Sequence, residues 1–121
     1  MAIWLNRLNA MVFLIIGIWC LWRARAVATS LGIDFTKPQG LTDFRATYGG
    51  ICLALGIFFG WATFRESWTE AALYLSALVY FGLGLTRGAG LLCDGEPTIL
   101  MKGFLVIELL LGVASVYLAR R

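Results

Sequence analysis

Three charged residues lie inside or at the edges of strongly apolar stretches of this chain, namely Arg45, Arg87 and Glu108. A carboxylate at membrane depth costs about 2.5–3.5 kcal/mol on insertion scales, so Glu108 is expected to have a partner. A carboxylate paired with a guanidinium can fix the register of two helices, and a second guanidinium would leave a positive charge suited to a phosphate or carboxylate. A carboxylate that exchanges its proton can instead drive transport. The three residues therefore indicate an ion-pair latch, an anion site or a proton-coupled carrier.

The composition restricts the class of protein that carries these residues. Of the 121 residues, 60% are hydrophobic and 14% are charged, whereas soluble domains average about 45–50% and about 25%. So few charges could not cover the surface of a soluble enzyme. The chain has no histidine, which removes imidazole bases and histidine-ligated metals. We expect no catalytic residues, no metal and no cofactor, and the net charge of +3 forms no stripe for nucleic acid.

Four long apolar runs predict four helices that cross a membrane. Such a helix needs about 20 residues, with a range of roughly 17–25. The predicted spans cover about residues 3–23, 45–64, 69–87 and 102–120. The short join at residues 65–70 requires an antiparallel pair, while Gly88 and Gly90 mark a turn after the third span. The predicted fold is an all-α integral membrane four-helix bundle with antiparallel neighbours, forming a single transmembrane domain over residues 1–121.

Helical periodicity gives the last three spans one small or polar face and one bulky face. At 100° per residue, Glu108, Gly112 and Ser115 fall within about 60° of one another. Helix interfaces in membranes favour small residues, since these let backbones approach. The small faces are therefore expected to point towards neighbouring helices. The glycines expected to pack there are Gly49, Gly56, Gly60, Gly84 and Gly112.

The predicted topology brings the charged residues to one end of the bundle. Arg45 begins the second span, Arg87 ends the third, and Glu108 lies shortly after the start of the fourth, all on the same side of the membrane. A pairing of Glu108 with either arginine would be a structural latch, whereas two arginines facing one acid could hold an anionic head group. The expected buried polar or ligand-binding cluster is Arg45, Tyr48, Tyr80, Arg87, Asp94 and Glu108.

The opening of the second span carries a more specific pattern. Residues 45–50 read Arg-Ala-Thr-Tyr-Gly-Gly, and the chain resembles the bacterial family of small four-helix membrane proteins filed as domain of unknown function 4345. The resemblance implies four helices and a multi-pass protein of the bacterial inner membrane, and it implies no activity. The other matching positions are Gly56, Thr86-Arg87, the run Asp94-Gly95-Glu96-Pro97, and Glu108.

Three hypotheses of function follow. The first is an accessory or structural membrane protein, without a catalytic site, that joins a larger membrane complex or associates with itself. The second is a binder of an anionic lipid or a lipid-like ligand at the arginines. The third is a proton-coupled carrier that resembles the small multidrug transporters and uses Glu108, although those proteins carry their glutamate in the first helix, where this chain has no acid.

Overall fold

The computed structural model describes residues 1–95 and 98–121, and within these residues the regular structure is entirely helical. Four helical stretches are long and apolar enough to cross a membrane, which confirms the all-α prediction with four spans. These stretches are Ala2–Trp22, Pro38–Ala62, Glu66–Cys93 and Ile99–Ala119. In chain order the elements are α1 (Ala2–Trp22), α2 (Ala24–Ser30), α3 (Pro38–Phe44), a π-helical turn (Arg45–Gly50), α4 (Ile51–Ala62), α5 (Glu66–Cys93) and α6 (Ile99–Ala119).

Two boundaries differ from the sequence prediction. The second span begins at Pro38 rather than near residue 45, since proline suits the first turn of a helix, where its missing N–H is not needed. The helix of the third span does not end at Arg87 but continues to Cys93. Gly88 and Gly90, expected in a turn, are therefore helical. The chain turns at Gly95 instead, where a φ of 111° requires the conformational freedom of glycine.

The chain divides into two compact units, which we call the α1–α4 unit (Asn6–Arg65) and the α5–α6 unit (Met1–Leu5 with Glu66–Arg121). In the α1–α4 unit, α1 and α4 run antiparallel, and each helix offers a glycine where the other offers a leucine. A Cβ at Gly17 would lie 2.8 Å from the backbone nitrogen of Leu53, and one at Gly56 would lie 2.7 Å from Cγ of Leu14. Glycine is thus what allows the two backbones to approach.

The segment between α1 and α4 is compact, although only scattered apolar residues mark it in the sequence. Phe44 forms its centre, with its ring 5.6 Å from that of Phe35 and stacked at 4.6 Å on that of Tyr48. Aromatic pairs at these distances add stability beyond the area they bury. The buried residues of this cluster are Cys20, Ala24, Ala28 and Phe44, packed by Val27, Ile33, Phe35 and Leu41.

The α5–α6 unit is built on an antiparallel helical hairpin. The hydroxyl groups of Ser76 and Ser115 lie 2.9 Å apart and are buried between the two helices. Further along, the ring of Phe81 lies against Gly112, where a Cβ would come within 3.0 Å of it. Because α5 residue numbers rise as their α6 partners' numbers fall, this seam extends along the hairpin and fixes the register of the polar residues described next.

Candidate functional site

Arg87 of α5 and Glu108 of α6 form a bidentate ion pair. Nε of Arg87 donates to Oε2 of Glu108 at 2.9 Å, and Nη2 donates to Oε1 at 2.7 Å. Both distances are those of charge-assisted hydrogen bonds, and the parallel arrangement matches the planar guanidinium to the planar carboxylate. Both carboxylate oxygens of Glu108 are thereby engaged by one arginine.

The rest of the Arg87 guanidinium also lies against α6. Nη1 donates to Sδ of Met101 at 3.3 Å, and the central carbon lies 5.3 Å from the ring centroid of Phe104. Cations over an aromatic ring at this distance are attracted to it. Met101, Phe104 and Glu108 follow one another at helical spacing, so one face of α6 holds the whole guanidinium.

The ion pair lies within both helices rather than at their ends. Arg87 precedes the last residue of α5 by six residues, and Glu108 follows the first residue of α6 by nine, which places them about 9 Å and about 14 Å inside their helices. The side chain of Glu108 is 10% exposed and that of Arg87 is 24% exposed. Since the two charges cancel, the pair leaves no net charge at this depth.

Smaller polar groups continue along the same seam of the α5–α6 unit. Tyr80 is buried and lies two turns before Arg87 on the same face of α5. One further turn along, the buried pair of Ser76 and Ser115 joins the helices, and Ser115 also donates to the carbonyl of Leu111 at 2.7 Å. The seam is thus a series of polar contacts that neighbouring helices make with each other.

Three members of the predicted cluster do not have the expected interior positions. Arg45, Tyr48 and Asp94 are all exposed. Arg45 and Tyr48 lie in the π-helical turn Arg45–Gly50, and a π-helix pairs residues five apart, so the 100° periodicity used to place them does not hold there. Asp94 lies in the turn that follows α5, and Glu96 and Pro97 of its predicted motif lie outside the described residues.

The predicted packing glycines differ in how tightly they are enclosed. A Cβ would come within 2.7 Å of a leucine side chain at Gly49 and Gly56, and to about 3.0 Å from a neighbouring side chain at Gly84 and Gly112. At Gly60 the nearest atom would be 3.7 Å away, which is ordinary contact. Close approach therefore depends on the first four glycines rather than on the Gly56 and Gly60 pair.

Sequence reasoning missed Met101 and Phe104. Neither carries a charge, and both lie on an apolar helix where such residues ordinarily face lipid. The available signal was their position seven and four residues before Glu108, on the same helical face. Among residues 1–95 and 98–121, no three Cys, Asp or Glu side chains lie together as a possible metal site.

One of three comparisons with known proteins found a match. A family model described as Domain of unknown function (DUF4345) matches residues 2–119, from the first turn of α1 to the end of α6. No curated protein and no solved structure matches the chain. The match confirms the resemblance drawn from residues 45–50 and the positions that accompany them. The chain belongs to the family described as domain of unknown function 4345.

Proposed function

We propose that this protein is an accessory or structural membrane protein that associates with other membrane proteins or with further copies of itself, and that its Arg87–Glu108 pair holds α5 and α6 in register. The bidentate geometry of this pair carries the proposal. It engages both carboxylate oxygens and two of the three guanidinium nitrogens. Two charged groups held by each other in this parallel geometry serve folding, because a substrate could engage either charge fully only by breaking the pair.

Binding of an anionic lipid at Arg87 has less support than the latch. The third guanidinium nitrogen faces Met101, and Phe104 lies under the guanidinium plane. An anion would have to displace Glu108 and leave that carboxylate buried without its partner, which is strongly unfavourable. The second arginine that this hypothesis requires, Arg45, is exposed.

Proton-coupled transport also has less support. A carboxylate that carries protons has to be protonated in part of its cycle, and a protonated carboxyl turns one acceptor oxygen into a donor. In Glu108 both oxygens accept from Arg87, so each protonation would break one of these two hydrogen bonds. The ion pair therefore favours a carboxylate that stays in contact with Arg87.

The outward faces of the helices supply the surface for association. On α6 this face is formed by bulky apolar side chains, which include Val106, Ile107 and Leu110. Such a face can contact acyl chains or the apolar face of another membrane helix. We place the protein in the bacterial inner membrane as a multi-pass protein, which fractionation of the cell envelope tests directly.

Photo-cross-linking in intact membranes tests the association. A diazirine-bearing aliphatic residue replaces Leu110, which is 64% exposed, and the matched control replaces its neighbour Leu109, whose side chain lies against Gly84. We expect the Leu110 variant to give one reproducible protein adduct, identified by mass spectrometry as a second copy or a defined membrane protein. The Leu109 variant should give none. Lipid adducts alone, from positions around the whole α6 face, would contradict the proposal.

A further inference from the structure

A second feature of the α5–α6 unit is a groove at the carboxyl-terminal end of α6. Its volume is about 560 Å³, and it lies entirely within this unit. The groove is separate from the ion pair described above. Its lining residues are Phe81, Val113, Val116, Tyr117, Arg120 and Arg121.

One helical face and one aromatic ring form this groove. Val113, Val116, Tyr117 and Arg120 follow the spacing of a single face of α6. From Val113 to Arg120 the helix rises by about 10 Å, of which the apolar residues up to Tyr117 cover about 6 Å, so the lining is elongated along α6. Phe81 contributes from α5, and its ring can lie close to α6 because Gly112 has no side chain there.

The cationic end of the groove differs from the latch in one decisive respect. Arg87 forms an ion pair with Glu108. Neither Arg120 nor Arg121 forms an ion pair with any residue that the structure describes. The guanidinium of Arg121 lies 4.8 Å from the ring centroid of Tyr117. Both arginines directly follow the last residue of a membrane-spanning helix, which is the level of lipid head groups. Two positive charges are thus available at that level.

We propose that this groove binds one anionic phospholipid, with an acyl chain along Val113, Val116 and Phe81 and the phosphate at Arg120 and Arg121. The apolar lining suits a hydrocarbon chain, which a free inorganic anion lacks. Cations immediately outside a membrane span attract anionic head groups, and guanidinium groups bind phosphate oxygens in a bidentate manner. The tyrosine ring sits where aromatic side chains ordinarily meet the head-group region.

Native mass spectrometry and lipid titration test this site without reference to the proposed accessory role. The protein in nanodiscs of phosphatidylcholine is titrated with phosphatidylglycerol, and the variant Arg120→Gln/Arg121→Gln is compared with wild type. The matched control is Arg65→Gln, which removes an exposed arginine at another helix end. Each arginine at this level contributes about fivefold to binding of an anionic lipid, so we expect the double variant to lose about 25-fold in affinity, and the control to lose at most the fivefold of its single charge.

A second variant separates the apolar lining from the charges. Val116→Trp fills the apolar part while both arginines remain, and it should also weaken retention of phosphatidylglycerol, because the chain can no longer enter. Circular dichroism reports whether each variant is folded. The Arg87–Glu108 latch is left intact in all of them. If the double arginine variant binds phosphatidylglycerol as wild type does, if Val116→Trp has no effect, or if the groove is occupied by a protein helix, the assignment is wrong.

Discussion

Breaking the ion pair between α5 and α6 should destabilise the hairpin by a measurable amount. Glu108→Ala removes both charge-assisted hydrogen bonds to Arg87 and leaves the guanidinium within the span. Removing one partner of a fully buried pair costs about 3–5 kcal/mol. Arg87 is 24% exposed and keeps its contacts with Met101 and Phe104, so the cost falls below this range, and we expect a loss of about 2–3 kcal/mol.

Exchanging the two charges distinguishes a latch from a chemical site. In the variant Arg87→Glu/Glu108→Arg an ion pair can form again, with its donor and acceptor on opposite helices. A latch should recover at least about 1 kcal/mol of coupling in the double-mutant cycle. A site that binds an anion or carries protons requires each group at its own position, and would not recover. Glu70→Gln, which removes an exposed acid from α5, the helix that carries Arg87, is the matched control.

The free energy of unfolding is measured in mixed micelles of mild detergent and dodecyl sulfate. Fluorescence of Trp68, with the other tryptophans replaced by phenylalanine, reports the α5–α6 unit. The predicted loss corresponds to a change of about 30- to 150-fold in the equilibrium constant for unfolding. An unchanged midpoint in Glu108→Ala, or zero coupling in the cycle, would refute the latch and with it the proposed function.

Two further results are expected. Gly56→Ala should lower the free energy of unfolding by about 1–3 kcal/mol, because the new Cβ would meet the backbone nitrogen of Leu14 at 2.8 Å. The control Gly60→Ala should be tolerated. Equal midpoints of the two variants in thermal unfolding would contradict this. In a variant without the native cysteines, Ser76→Cys/Ser115→Cys should form a disulfide under mild oxidation, since the hydroxyl oxygens are 2.9 Å apart. Failure of the two cysteines to cross-link in membranes would contradict the register of the hairpin.

Regular helical periodicity was sufficient to predict the arrangement of α6. Glu108 and Gly112 are buried, while Val106 and Leu110 on the opposite face are exposed, as the sequence pattern predicted. No proline and no change of helix type interrupts α6, so the rotation of 100° per residue holds along its length. The position of a side chain around a helix can therefore be predicted where the helix is regular.

The same reasoning failed at Arg45 because the helix is not regular there. A π-helical turn adds residues to each turn, and sequence alone gave no sign of it beyond two adjacent glycines at the end of the segment. Gly49, at the end of this turn, is nevertheless buried against Leu21, and ordinary α-helical pairing resumes at Ile51 in α4. The error is thus confined to the turn and does not extend to the packing of the following helix.

The end of α5 shows why a charge is an ambiguous marker of a membrane boundary. Arg87 follows an apolar run, which ordinarily indicates that a span has ended. Here the arginine is neutralised by Glu108, which is distant in sequence, so the charge does not need water and the helix continues to Cys93. An arginine after an apolar run is therefore an ambiguous marker, because its partner can be a carboxylate on the neighbouring helix, and that partner is a long-range property that no local sequence pattern contains.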